Sequence, residues 1–338
     1  MLRLGIIGCG RVTTMFHLRA LEGLEEVRLV AVADSSEKRM TEVRRTCGAE
    51  AGCLDYHDLL MSPNVDAVSV NTPPRLHEQM TLEALEAGKH VLCEKPLAQT
   101  VEGCLRVKDL REAKRLVVLP GHNYAYSPSL IKIEEEVRRG SIGDLDRAEV
   151  HFENNLRGYG AQTSFRTENN RGIVEDIMPH ILSVTTGVAG RVAEVEEVSW
   201  WCKSFDVCDN MEVKLRTEHG IGLDCSLSWT RTIPTFRLDL YGGKGSLHTD
   251  LAINPFSYTL ETDGERRKHK TRGLDWYLDL IRFKHPSFKE QYRHLAKLVD
   301  GTETPRITID DEIAILETME RISTQLPETG KNPRRQVR

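Results

Sequence analysis

The segments LGIIGCGRVTT, residues 4–14, and VRLVAVAD, residues 27–34, decide the fold of this chain. Leu4 to Ile7 is a short apolar run that stops at Gly8. Beyond Gly10 the spacing changes, and Val12, Met15, Phe16, Ala20 and Leu21 recur near the helical period. Val27 to Ala33 is rich in β-formers and ends at Asp34. A strand, a Gly8-Cys9-Gly10 turn, a helix and an acid closing the next strand is the order in which a dinucleotide fold builds its phosphate loop. Gly8 permits the tight turn. Gly10 lets backbone N–H groups approach a pyrophosphate at a helix N-terminus, with Arg11 and Val12 beside it. The third glycine of the fingerprint is replaced by Thr13, so the motif is incomplete. Asp34 is placed to accept hydrogen bonds from ribose hydroxyls and to repel a 2′-phosphate. NAD is therefore predicted over NADP, although Lys38 and Arg39 offset part of that repulsion. Two plainer readings stand beside this one: a glycine turn in another α/β domain, and Asp34 as a helix cap.

Working outward, strand and helix keep alternating. Val65 to Val70 is a strand closed by Thr72-Pro73-Pro74, and His77 to Ala87 reads as a helix stopped by Gly88. His90 to Cys93 is a strand, Val101 to Lys114 a helix and Leu116 to Leu119 a strand. This βα spacing predicts an N-terminal Rossmann domain over 1–121, a doubly wound parallel sheet of the α/β class. From residue 122 the pattern shifts. After a charged helix, Ser129 to Arg139, come alternating runs at Asp146–Asn154, Glu212–Arg216, Gly222–Trp229 and Phe236–Tyr241. They predict a second, α+β domain over 122–338 with a large, mostly antiparallel sheet. Gly242 to Gly245 lies between strands with no helix after it, so it reads as a hairpin turn and not a phosphate loop. Trp200, Trp201 and Trp229 read as core or interface aromatics, Asp263 to Arg272 as a solvated loop, and Ile313 to Ile322 as a final helix.

Bulk properties narrow the function classes. A net charge of -5 provides no field to draw the whole surface to nucleic acid or anionic lipid. The basic tail from Lys331 to Arg338 reads as a frayed terminus. No run reaches the length of a membrane helix, and the N-terminal apolar segment, broken by glycines, does not resemble a signal peptide. The eight cysteines are scattered with no C-x-x-C pair, which speaks against structural zinc or a disulfide framework and fits a reducing cytoplasm. No metal site is expected.

Lys95 follows a buried strand at the edge of a parallel sheet where ligands bind in such folds, bracketed by Glu94 and Pro96. Read alone it is either a donor to a substrate oxygen beside a nicotinamide or a surface lysine paired with Glu94. Asp176 and His180 are four apart and share a face if helical. Read alone they suit a solvated acid and a half-buried histidine better than an acid–base pair.

Three segments together resemble the family of glucose–fructose oxidoreductase, inositol dehydrogenase and the rhizopine-catabolism dehydrogenases. They are Gly8-Cys9-Gly10-Arg11 with His17; Thr72-Pro73-Pro74 through His77 and Gly88-Lys89-His90-Val91 to Glu94-Lys95-Pro96; and Gly172 with Asp176 and His180. The resemblance covers nearly the whole chain. It implies Lys95, Asp176 and His180 as catalytic residues, with Lys95 bonding the reacting oxygen, His180 as acid/base and Asp176 orienting. It implies Thr72, Pro73, His77 and Glu94 along the cofactor, a cis peptide at Lys95-Pro96, and a homodimer or homotetramer formed through the second domain's sheet. Departures fall where relatives border the substrate. Only Gly172 remains of three glycines, with Asn170 and Arg171 before it. His122-Asn123-Tyr124 stands near where many relatives carry arginine. Asn123, Tyr124 and Arg171 are thus expected at the substrate, with Arg171 facing an anionic group. The implied activity is NAD(P)-dependent interconversion of a secondary alcohol and a ketone on a sugar, sugar acid, nucleotide sugar or cyclitol. An NAD-recycling lyase or glycosidase of the same fold, or a non-catalytic NAD-binding regulator, are the alternatives.

Overall fold

The computed structural model describes residues 1–159, 166–167, 171–271, 285–326 and 336–337. The chain forms two compact units, Met1–Tyr126 with Asp275–Ile313, and Ser127–Leu274 with Ala314–Arg338.

The first unit is built on six strands: β1 Leu2–Ile7, β2 Val27–Ala33, β3 Ala51–Cys53, β4 Ala67–Val70, β5 His90–Glu94 and β6 Val118–Gly121. They run in the order β3-β2-β1-β4-β5-β6, every pair parallel. The doubly wound sheet expected from the sequence is therefore present. Its order reverses between β1 and β4, the crevice at which such sheets bind ligands. The strands are apolar on both faces, with Leu4, Ile6, Val68 and Leu92 fully buried, as a sheet covered by helices on both sides requires. β3 and the short helix Tyr56–Leu60 carried no legible period. The helix after the glycine turn is not a plain α-helix. Thr13–His17 is one π-turn, closed by the Leu18 N–H bonded to the Thr13 carbonyl, and α-geometry resumes at Leu18–Leu21. The wider turn buries both Thr13 and His17.

The chain returns to this unit late, beyond a single cut at 121/122. Helix Pro286–Val299 places Phe288, Tyr292 and Leu295 in one apolar cluster with Leu4, Ile6 and Leu92. Burying each such side chain stabilises by roughly 1.5–3 kcal/mol. This return carries Tyr292 and Glu312 to the ends of the Rossmann strands.

The second unit holds a nine-stranded sheet in the order β14-β13-β12-β11-β7-β10-β9-β8-β15. The strands are β7 Leu145–Asn155, β8 Val192–Trp201, β9 Asn210–Thr217, β10 Gly222–Ser228, β11 Thr230–Gly242, β12 Gly245–Asp250, β13 Asn254–Thr262, β14 Glu265–Lys270 and β15 Gln336–Val337. Among the described residues, only β7 and β10 of this sheet pair in parallel. Helices Pro128–Arg138 and Gly172–Ala189 cover one face. The other face bears Glu212, Lys214 and Arg216, all exposed on β9. Gly242 pairs with Gly245 across the β11–β12 turn, the hairpin expected there. The charge-rich stretch read as a solvated loop is corrected. Glu265–Lys270 pairs with β13 as the sheet's edge strand, and charge on both faces hid the two-residue period. Arg272 and most of the basic tail lie outside the described residues. Among those described, no helix is long and apolar enough to cross a membrane.

Candidate functional site

The glycine turn opens at the carboxyl end of β1. Gly8 sits at φ +97°, and a Cβ there would lie 2.7 Å from the Asn71 carbonyl oxygen, so only glycine fits. A Cβ on Gly10 would meet nothing within 4 Å; the space above it is open. Thr13, in place of the third glycine, donates through Oγ1 to the Gly8 carbonyl at 2.6 Å and secures the turn from below. The Asp34 carboxylate accepts from the Cys9 N–H and the Ser36 N–H, both at 2.8 Å, and from Arg39 Nη2 at 2.7 Å. Burial opposes its charge, but Arg39 and the two amides hold it below the usual carboxylate range. Asp34 thus braces the turn as well as ending β2. Arg11 is exposed, with Nε 3.1 Å from Met15 Sδ, and Val12 is half-buried. A glycine held by sterics beside one left open, at a helix start, fits a dinucleotide diphosphate.

Lys95 follows β5, and the peptide to Pro96 is cis, as the family resemblance implied. Its neighbours are tied down one by one. Glu94 Oε1 lies 3.0 Å from His17 Nε2. The Pro96 carbonyl lies 2.7 Å from His77 Nδ1. The Leu97 N–H donates to Glu312 Oε1 at 3.0 Å. Behind Glu94 runs an unbroken hydrogen-bonded chain. His17 Nδ1 meets the Tyr292 hydroxyl at 2.7 Å, which donates to Ser69 Oγ at 3.2 Å. Ser69 donates to Asn71 Oδ1, and Asn71 Nδ2 donates to Thr13 Oγ1, the group that secures Gly8. The turn expected at the cofactor and the loop carrying Lys95 are therefore one buried network, and satisfied networks of this kind rigidify what they join. Burial opposes ionisation of Glu94, but His17, Lys95 and His77 outweigh it and hold the carboxyl low. Thr72, half-buried, sends Oγ1 toward Met80 Sδ at 3.4 Å, and Pro73 is exposed.

Glu312 was not singled out from sequence, and no local signal marks it. Its side chain is 1% exposed and pairs with His122, also fully buried. Burial is the largest influence on its carboxyl and would raise it; His122, the Leu97 amide and Lys95 hold it below its ordinary range. Glu312→Ala, which strands His122 and the Leu97 amide, is expected to lower the unfolding free energy by about 3–5 kcal/mol, measured by urea denaturation. Because the folded pKa is depressed, the wild-type contribution is complete above the ordinary value of 4.5 and is lost as pH falls below it.

In the second unit, Asp176 and His180 lie on one helix, Gly172–Ala189. Asp176 accepts from Arg166 Nε at 2.8 Å and from the Trp229 indole at 3.3 Å. Trp229 is fully buried, the core aromatic expected, and it also orients the acid. Gly172 explains its own retention, since a Cβ there would fall 1.7 Å from the Arg166 carbonyl oxygen. The half-buried His180 ring stacks on Phe152 with centroids 5.6 Å apart, just after the buried Pro179. Arg171 pairs with Glu320 at 3.1 Å, both well exposed. In the first unit, Asn123 is buried and donates to Ser287 Oγ at 3.0 Å, while Tyr124 packs edge-on against His285. Asn170 lies outside the described residues.

Comparison with known proteins agrees with this architecture. A profile described as an oxidoreductase family with an NAD-binding Rossmann fold matches residues 2–122, and the GFO/IDH/MocA C-terminal domain matches 130–248. A myo-inositol 2-dehydrogenase of Thermotoga maritima is 27% identical over 321 residues, 92% of each chain. A dTDP-3,4-didehydro-2,6-dideoxy-alpha-D-glucose 3-reductase of Streptomyces violaceoruber is 28% identical over 255 residues, 75% of this chain and 74% of that one. Among solved structures, a 3-ketoreductase from Actinomadura kijaniata in complex with TDP-benzene and NADP superposes with a TM-score of 0.76 at 21% identity, covering 96% of this chain and 97% of its own. That likeness shows the fold. With both domain profiles matched in order, the chain belongs to the GFO/IDH/MocA family of NAD(P)-binding oxidoreductases.

Proposed function

We propose that this chain interconverts a secondary alcohol and a ketone on a cyclitol or sugar-like molecule, with NAD as the redox partner. The observation that supports this most is the holding of Lys95. It leaves β5 at the carboxyl edge of the parallel sheet, the edge where the Gly8 turn opens, and residues 94, 96 and 97 are each bonded in place. A lysine on such a loop is preorganised to donate to an oxygen on which charge develops. When bound, NAD supplies the hydride acceptor. The remaining work belongs to the side chains. Lys95 donates to the reacting oxygen. His180 takes the proton as alcohol becomes ketone and returns it in the reverse direction. Asp176, braced by Arg166 and Trp229, orients the imidazole or a substrate hydroxyl. An acidic group on the substrate competes with Glu320 for Arg171.

The test is NADH absorbance over a panel of cyclitols, aldoses, sugar acids and dTDP-sugars, with the matching ketones run in reverse. Stoichiometric NADH release separates a dehydrogenase from an enzyme that recycles its cofactor. Absence of cofactor turnover in both directions across the panel overturns the proposal.

The choice of NAD rests on Asp34 and Arg39. The Asp34 carboxylate, assigned in this reading to the ribose hydroxyls, is paired with Arg39 at 2.7 Å and neutralises that guanidinium. Asp34→Ser removes the repulsion and releases Arg39 for a 2′-phosphate. The NADP-to-NAD ratio of kcat/KM is expected to rise on the order of 100-fold, in line with charged hydrogen bonds that contribute about 1.5–3 kcal/mol. Affinity for both cofactors falls together, because the Cys9 amide loses its acceptor.

A further inference from the structure

His77 begins the helix His77–Glu86 and is 1% exposed. Its two ring nitrogens face two backbone carbonyls from different turns: Nδ1 lies 2.7 Å from the Pro96 oxygen and Nε2 lies 2.7 Å from the Thr72 oxygen. A carbonyl oxygen can only accept, and a neutral imidazole carries one N–H. With a single proton, one nitrogen lone pair would face a carbonyl lone pair at contact distance. Both bonds form together only when both nitrogens are protonated. We propose that His77 is a positioning residue that acts as a fixed imidazolium, tying the Thr72 turn to the Lys95-Pro96 turn and presenting Lys95 only while it is charged. The catalytic half of this proposal rests on the role given to Lys95 above; the charge and the tie do not.

The surroundings suit a buried cation. The Cys93 side chain of β5 lies against the ring, and Glu94 on the same strand feels its charge. Around Glu94 stand His17 and Lys95. On the helix itself the next residue, Glu78, pairs with Arg106 at 2.7 Å. Beyond Cys93 are Cys104 and Glu312. Burial alone would lower the imidazole; Cys93 and the two carbonyls outweigh it and push it up to about 9. The carbonyl contribution persists whatever the state of the thiol. As the folded value exceeds the ordinary 6.5, the stabilisation is complete below 6.5 and is lost as pH rises through about 9.

The test uses the cofactor-free full chain, with histidine labelled for NMR. His77 is expected to keep imidazolium shifts at about pH 7.5 and to titrate well above the other range of ordinary histidines. Amide exchange at Lys95 and Leu97, corrected for intrinsic rate, is expected to quicken on the order of 10-fold in wild type above the His77 titration, and equally in His77→Gln at neutral pH. On the active substrate, His77→Gln is expected to lower kcat about 10-fold or more with KM for NAD little changed, and to lose the part of the alkaline limb that His77 causes. A neutral ring at pH 7.5 overturns the proposal. So does a charged ring whose loss leaves exchange at Lys95 and Leu97 unchanged, or a variant with wild-type kcat. Should no panel member turn over while the charge and the exchange behave as expected, the redox assignment fails and the imidazolium tie stands.

Discussion

Lys95→Ala is expected to lower kcat by about a thousandfold while the Kd for NAD changes by less than about threefold, the pattern of a group that acts in the transition state and not in cofactor binding. The two quantities separate because they depend on different parts of one unit. The proposal assigns the diphosphate to the Gly8 turn, whose geometry comes from Asn71, Thr13 and Asp34. Lys95 contributes none of these bonds. Its amine stands on a loop whose residues 94, 96 and 97 are each hydrogen-bonded in place. The variant carries a second signature. Glu94 and Glu312 both lose a nearby cation that helps hold them ionised, so both carboxyls rise and the acid limb of stability moves to higher pH. Steady-state kinetics, an NAD titration and a pH series of denaturation curves measure the three effects. Wild-type turnover in Lys95→Ala would end the assignment of this residue.

Gly8→Ala is expected to cost about 2–3 kcal/mol of stability, the range for a side chain forced into a glycine-only conformation. The new Cβ meets backbone at 2.7 Å, and backbone cannot rotate away. Relief requires β1 and the Asn71 segment to part, which breaks the hydrogen-bonded chain through Asn71 and Thr13. NAD affinity is expected to fall on the order of 100-fold, equivalent to about 2.8 kcal/mol. Gly10→Ala is the control. Its Cβ points into open space, so stability changes by less than about 1 kcal/mol. If the open space is where the diphosphate lies, NAD affinity still falls. Denaturation and NAD titration on both variants separate a structural glycine from a ligand-facing one. Equal stability losses would refute the distinction.

What was legible in the sequence follows from local physics. Val27–Ala33 and Val101–Lys114 match their predicted spans residue for residue, because a continuous β-rich run and a capped helical run each announce themselves. Thr100 caps the latter by accepting from the Gly103 N–H. Gly88, at φ +75°, stops its helix as expected. The short β3 and the edge strand β14 escaped, one too brief for a period and the other charged on both faces.

The residues themselves determined that a parallel doubly wound sheet with a glycine turn and an acid would form, since strand period, turn chemistry and the order of elements all act within some thirty residues. They could not disclose who would meet across the chain. Tyr292 reaches Ser69 over 223 positions and Glu312 reaches Leu97 over 215, contacts that depend on how whole elements dock and leave no trace in local spacing. Only the tertiary structure decided that His77 would face two carbonyls at once, and so bear a charge, because that state is imposed by acceptors from two separate turns and not by anything in the residue or its neighbours.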